Sequence, residues 1–209
     1  MDQISQLLRD QDGVVSRRQL HEAGLTPGDL ARMLRRRELA RVHPGVYVEH
    51  TGPLTWQQRA WAGVLFAWPA ALTHRSAVRA AEGPGRRSGE DRLIEVTVDR
   101  QRHLSGDADG VRIRRMRDFE ARVQWNLGPP RVRYDDAIID VAADAPSDLD
   151  AVAALADACG SRRTTAARLL RTLAQRPRVP RRTWLENILD DVAQGLPRLR
   201  PRPRPRPGA

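Results

Sequence analysis

The sequence predicts an α+β fold, and three observations carry that reading. Short helices punctuated by caps and glycines fill the first 36 residues, and a strand, a Pro-Gly turn and a second strand follow at once. Further along, β-alternating stretches give way to a run of helical segments before the end of the chain.

The N-terminal elements come first. Ile4, Leu7 and Leu8 share one face of a first helix, which Asp12-Gly13 ends. Ser16 with Gln19 has the spacing of a capping box and starts a second helix over about Arg17–Ala23, closed by Gly24. Thr26 is placed as the N-cap of a third helix, with Pro27 at its first position and its end near Arg36. Two helices joined by a four-residue, glycine-containing turn form a helix-turn-helix. On the third helix Leu30, Met33 and Leu34 face inward. Arg32, Arg35 and Arg36 fall on the opposite face, with Gly28 beside them. "ELARV" and "VYV" then read as strands, with Pro44-Gly45 at the centre of a type II turn. A helix-turn-helix followed by such a hairpin is a winged helix-turn-helix, predicted over residues 1–50.

Residues 51–195 are predicted as a mixed α/β domain with a helical C-terminal end. Trp61, Val64, Leu65 and Trp68 recur at helical spacing over Thr55–Ala67 and read as core. "HRSAVRAA" continues as helix to Gly83, with Thr73 as its cap, and "EGPGRRSGED" is a loop. Strands follow at Arg92–Asp99, Val111–Met116 and Pro130–Tyr134. Helices are then expected in "DAIIDVAAD", "SDLDAVAALADACG", "SRRTTAARLLRTLAQR" and "RRTWLENILDDVAQG". Residues 196–209 form an Arg-Pro tail, expected to be extended and disordered.

Composition narrows the function. The 209-residue chain carries a net charge of +10, and all 36 basic residues are arginine, which favours a polyanionic partner. Without lysine there is no Walker-type phosphate lysine, no Schiff base and no lysine-completed nuclease site. The lone Cys159 excludes an internal disulfide and a multi-cysteine zinc site, and is expected to be a buried structural thiol. The acidic, amphipathic N-terminus is unlike a signal peptide, and the longest apolar run falls short of the roughly 20 residues that span a bilayer. A soluble, cytoplasmic protein with no membrane partner is expected.

No catalytic residue, metal ligand or cofactor is expected. Glu95 and Asp99, with Asp140 downstream, are the nearest approach to a carboxylate set. Four residues apart on a strand, Glu95 and Asp99 would lie roughly 13 Å from each other, and all three read as surface groups. His74-Arg75-Ser76 reads as an internal polar contact. His43 has no second ligand at metal spacing and reads as a turn residue or phosphate contact.

The segments "GVVSRRQLHEAGLTPGDLARMLRRRELARVHPGVYV", "TGPLTWQQRAWAGVLFAWPAALTHRSAVR" and "ADACGSRRTTAARLLRTLAQR" together resemble the AbiEi-type antitoxin and transcriptional-regulator family, in its actinobacterial branch. The resemblance implies a winged helix-turn-helix that binds operator double-stranded DNA, often at its own promoter. It also implies a type IV system whose nucleotidyltransferase-like toxin is a functional rather than a stable partner. Many such relatives continue into an endonuclease-like domain where this chain runs into Arg-Pro repeats, so that domain is expected to be missing. Carried onto matching positions, Ser16, Arg17 and Arg18 would hold phosphates at the start of the second helix. Thr26, Gly28 and Arg32 would reach base edges, Arg35 and Arg36 would flank the groove, and Arg41, His43 and Tyr47 would serve the wing. Two rivals stay open: a protein-interaction antitoxin module with no specific operator, and a truncated remnant of an endonuclease-fused protein.

Overall fold

The structure is a computed structural model that describes residues 2–83, 93–104 and 106–194. Most of the expected 82–91 loop and the Arg-Pro tail lie outside those residues. The fold is α+β, in two compact units: residues 1–137 and 138–209. The break expected at residue 50, where the sequence changes character, lies inside the first unit.

The first unit opens with α1 (Asp2–Asp10), β1 (Val14–Ser16), α2 (Arg17–Glu22), α3 (Pro27–Arg35), β2 (Ala40–His43) and β3 (Val46–Val48). Both expected caps form. Ser16 accepts from the Gln19 amide and Gln19 reaches back, and Thr26 and Asp29 do the same at α3, with Pro27 beside the cap. Gly45 takes φ +74° in the hairpin turn, the region the type II turn requires. β1 was not foreseen. It pairs antiparallel with β3 and completes a three-stranded sheet in the order β1-β3-β2.

That sheet is buried on both faces. Val15 and Tyr47 point into a core with Leu20, Leu30 and Leu39, against which Ile4, Leu8, Met33 and Leu34 pack. Val14, Val46 and Val48 point the other way, onto Trp61, Ala62 and Leu65 of α4 (Trp56–Phe66). Ala60 and Val64, on the far side of α4, join the core of a second sheet. Gly63 explains how closely α4 approaches that sheet, because a Cβ there would meet Ile94 Cγ2 at 3.1 Å.

The second sheet is mixed. It contains β4 (Ala71–Leu72), β5 (Ile94–Asp99), β6 (Val111–Met116), β7 (Val123–Gln124) and β8 (Arg131–Val132), in the order β6-β5-β4-β8-β7. β5 and β6 were expected, whereas β4 and β7 are two-residue strands with too little pattern to read. α5 (His74–Glu82) and the short α6 (Phe119–Arg122) complete the unit, and α7 (Tyr134–Ala143) crosses its boundary.

The expected roles around α5 change. Thr73 holds the N-cap position without a side-chain cap bond. The carboxylate of Glu95, on β5, accepts the Arg75 amide at 3.2 Å instead, while the Glu95 amide donates to Ser76 Oγ at 2.9 Å. Glu95 is therefore buried rather than a surface group, and Arg114 donates to it at 3.1 Å.

The second unit holds α8 (Asp148–Gly160), α9 (Ala166–Ala174) and α10 (Arg182–Ala193). Leu155, Leu169, Leu173, Leu185 and Leu189 are all buried in it. α9 starts later than expected because Thr165 caps it, accepting the Arg168 amide at 3.2 Å, and residues 161–165 become a turn. Asp140, expected at the surface, is buried and paired with Arg176. Cys159 is only partly buried on α8.

Candidate nucleic-acid interface

Arg17 is the best-fixed cation of the N-terminal segment. It is the first residue of α2, and its amide donates to the Gly45 carbonyl of the hairpin turn at 2.7 Å. Its Nε and Nη2 donate to the Tyr47 hydroxyl at 3.3 and 3.1 Å. Backbone and side chain both tie the start of α2 to β3 and its turn, and the guanidinium remains exposed at the surface. Tyr47 itself is fully buried, so it supports Arg17 from within the core rather than forming part of the wing surface. Ser16 is also buried, and its hydroxyl is committed to Gln19. It sets where α2 begins and presents no free hydroxyl.

Along α3 the exposed side carries Gly28, Arg32, Arg35 and Arg36. Thr26 is exposed but occupied, since its hydroxyl donates to Asp29 Oδ2 at 2.6 Å and accepts the Asp29 amide. Asp29 also takes Arg32 Nη2 at 2.6 Å. The hydrogen bonds from Thr26, and then the charge of Arg32, hold the Asp29 carboxyl below its ordinary pKa of 3.8. Asp29 thus links the cap of α3 to its central arginine. The sequence reading missed it, although the T-x-x-D spacing that mirrors Ser16–Gln19 was there to be read. Arg36 lies 3.8 Å from Glu38, and Arg35 has no ion pair among the described residues. Arg37, the third arginine of the run, takes a left-handed φ of +60° as the chain leaves the helix.

Arg18, the second residue of α2, is exposed but already engaged. Its Nη1 sits 2.7 Å from Glu22, and its guanidinium stands 5.4 Å from the centre of the Trp68 ring. Trp68 in turn meets Trp125 edge-on at 5.7 Å. Arg41 is exposed on β2, in register with Tyr47. His43 is half-buried with its ring 5.8 Å from that of Phe66. Burial pushes its pKa below 6.5, and the nearby charge of Asp109 opposes that shift.

The structure therefore brings Arg17, Tyr47 and the hairpin turn together, and groups Thr26 with Arg32 through Asp29. Among the described residues no set of three His, Cys, Asp or Glu side chains could hold a metal ion. No helix among them is long and apolar enough to cross a membrane.

Among solved structures, the chain resembles the RV2827C protein of Mycobacterium tuberculosis. The TM-score is 0.55 at 22% identity, over 94% of this chain and 77% of that one. At that identity the likeness is one of fold. No curated protein matches the chain. Residues 2–50, the segment from α1 to β3, match the family described as "Transcriptional regulator, AbiEi antitoxin", and in that segment the chain carries the family's pattern.

Proposed function

We propose that this protein is a DNA-binding transcriptional regulator whose N-terminal segment reads an operator in duplex DNA. α3 would enter the major groove with Arg32 at the bases, Arg35 and Arg36 would flank it, and the start of α2 would meet the adjacent backbone. The observation that carries the reading is the fixing of Arg17 between the hairpin turn and the Tyr47 hydroxyl. A guanidinium held that way gives up little conformational freedom when it meets a phosphate. The family match supports a regulator of the antitoxin kind. Autoregulation of its own promoter, opposite a nucleotidyltransferase-like toxin, is the form of that role we favour.

The protein would act by binding rather than by catalysis. Glu95, the most deeply buried carboxylate considered as catalytic, is engaged at the start of α5 and by Arg114. Selection of duplexes from a random pool by the full chain tests the proposal. A recurring motif with a palindromic or repeated half-site is expected, and absence of any sequence preference would refute the operator. Incubation with nucleic acid and magnesium or manganese should yield no cleavage or nucleotidyl transfer.

A further inference from the structure

The second unit carries a concentration of charge that the N-terminal reading does not use. No aspartate or glutamate occurs between Asp157 and Glu186, while arginine occupies positions 162, 163, 168, 171, 176, 178, 181 and 182. Six of these cations fall into two groups. Arg176 pairs with Asp140, Arg181 with Asp148, and Arg182 with Glu186 at 2.9 Å, so these three are neutralised within the unit. Arg162, Arg163 and Arg171 are exposed and form no ion pair among the described residues.

Local geometry gathers the second group around the start of α9. Thr165 caps the helix, which leaves Arg162 and Arg163 in the turn just before it. Arg168 bends back toward that turn, its Nη1 donating to the Arg163 carbonyl at 3.4 Å. Arg171 follows Arg168 by three residues and so lies on the same side of the helix. Ala166, Leu169 and Leu173 are buried on the other side. The positive end of the α9 dipole adds to the same field.

Two classes of partner could meet such a patch, and its composition distinguishes them. Protein interfaces are anchored by buried aromatic or large apolar side chains. The exposed side of α9 offers Ala167, Ala174 and Gln175 between its arginines. The one exposed large hydrophobic residue among those described is Leu149, in the first turn of α8 and outside residues 162–171. Arginines around a helix start, with no apolar anchor, suit a phosphate backbone.

We propose that residues 162–171 form a second DNA-contact surface, which holds the phosphate backbone of duplex DNA without reading its sequence. It would supply affinity that any duplex can satisfy, independently of the operator contacts made by α3.

The test uses the full chain with Arg162, Arg163 and Arg171 changed to Gln together, and a random-sequence duplex titrated across salt concentrations. The slope of log affinity against log salt should fall in magnitude by about 2–3 units. Affinity should drop by the same factor on a selected operator and on random DNA. The same fall should appear in an Arg17→Ala/Arg32→Ala background, so failure of the N-terminal reading would not hide it. Arg171→Gln alone, which leaves the turn untouched, should lower the slope by about 0.9. Unchanged slopes in variants that melt like the parent would overturn the proposal. Loss of an acidic protein partner with duplex slopes intact would do so too, and would assign the patch to that partner.

Discussion

The phenol oxygen of the fully buried Tyr47 accepts both Nε and Nη2 of the surface residue Arg17, at 3.3 and 3.1 Å. A core side chain thereby sets the direction of a surface cation. Tyr47→Phe keeps the ring packed and removes only the acceptor. Folding stability should fall by about 0.5–1.5 kcal/mol, and a double-mutant cycle with Arg17→Met should recover most of that as coupling. Duplex affinity should fall by about 1 kcal/mol on every sequence, because a guanidinium without its anchor is ordered only on binding. A coupling near zero by chemical denaturation would mean that Arg17 gains nothing from the hydroxyl.

Glu95 is expected to matter for stability and not for chemistry. Its carboxylate accepts the Arg75 amide at the start of α5 and the Arg114 guanidinium, in a site only 6% exposed. Glu95→Ala would remove one contact of Arg114 and the acceptor of the Arg75 amide, at a cost of about 1–3 kcal/mol. Glu95→Gln keeps an acceptor for the amide and should cost less. Urea unfolding of the two variants gives the order. A metal-dependent cleavage lost in Glu95→Gln at unchanged stability would reverse the assignment.

The parts of the fold that were legible in the sequence are those specified locally. α2 and α3 follow from Ser16 with Gln19 and from Thr26-Pro27, because a cap and its partner sit within one turn of each other. β1 was hidden because its three residues, Val14 to Ser16, lie between Gly13 and a helix cap and are defined by pairing with β3, some thirty residues on. The burial of Tyr47 was hidden for a related reason. "VYV" reads like a strand with one wet face, but α4 covers the side of Val46 and Val48 while residues of α1, α2 and α3 cover that of Tyr47. Glu95 read as a surface carboxylate because nothing in "IEVTVD" shows that the start of α5 lies against it. At the site, the exposed arginines of α3 were legible from helical spacing alone. The capture of Arg18 by Glu22 and Trp68 was half legible: Glu22 is four residues on, but Trp68 is fifty residues away and meets it only through the fold.

His43 gives the N-terminal segment a pH dependence of definite sign. Burial lowers its folded pKa below 6.5, so the unfolded chain takes up the proton first as the pH falls. The stability linked to this group is complete above pH 6.5 and is lost as the pH drops from there through the folded value. At neutral pH the imidazole meets DNA uncharged, and the duplex affinity of His43→Gln should match the parent at pH 7.5. Thermal melts at pH 7.5 and 5.5 should show a smaller loss for His43→Gln than for the parent. An equal loss in both proteins would place the titrating group elsewhere.

Arg32 and Arg18 are predicted to differ, although both are exposed arginines, one on α3 and the other on α2. Arg32 is paired with Asp29, but its side chain is 54% exposed and the partner's 32%. Such a pair contributes little in water and can open when a base edge is offered. Arg32→Ala should cost about 1–3 kcal/mol on a selected operator and much less on random DNA. Arg18 is occupied on two sides, by the Glu22 carboxylate and by the face of Trp68. Releasing it would break the ion pair and a cation–π contact together, and the released carboxylate would face the phosphates. Arg18→Ala should therefore leave the salt slope unchanged and lower affinity less than Arg17→Ala does. Salt titrations of the three variants on operator and random duplexes separate these outcomes. An operator-specific loss at Arg18 with none at Arg32 would mean that α2, not α3, reads the bases.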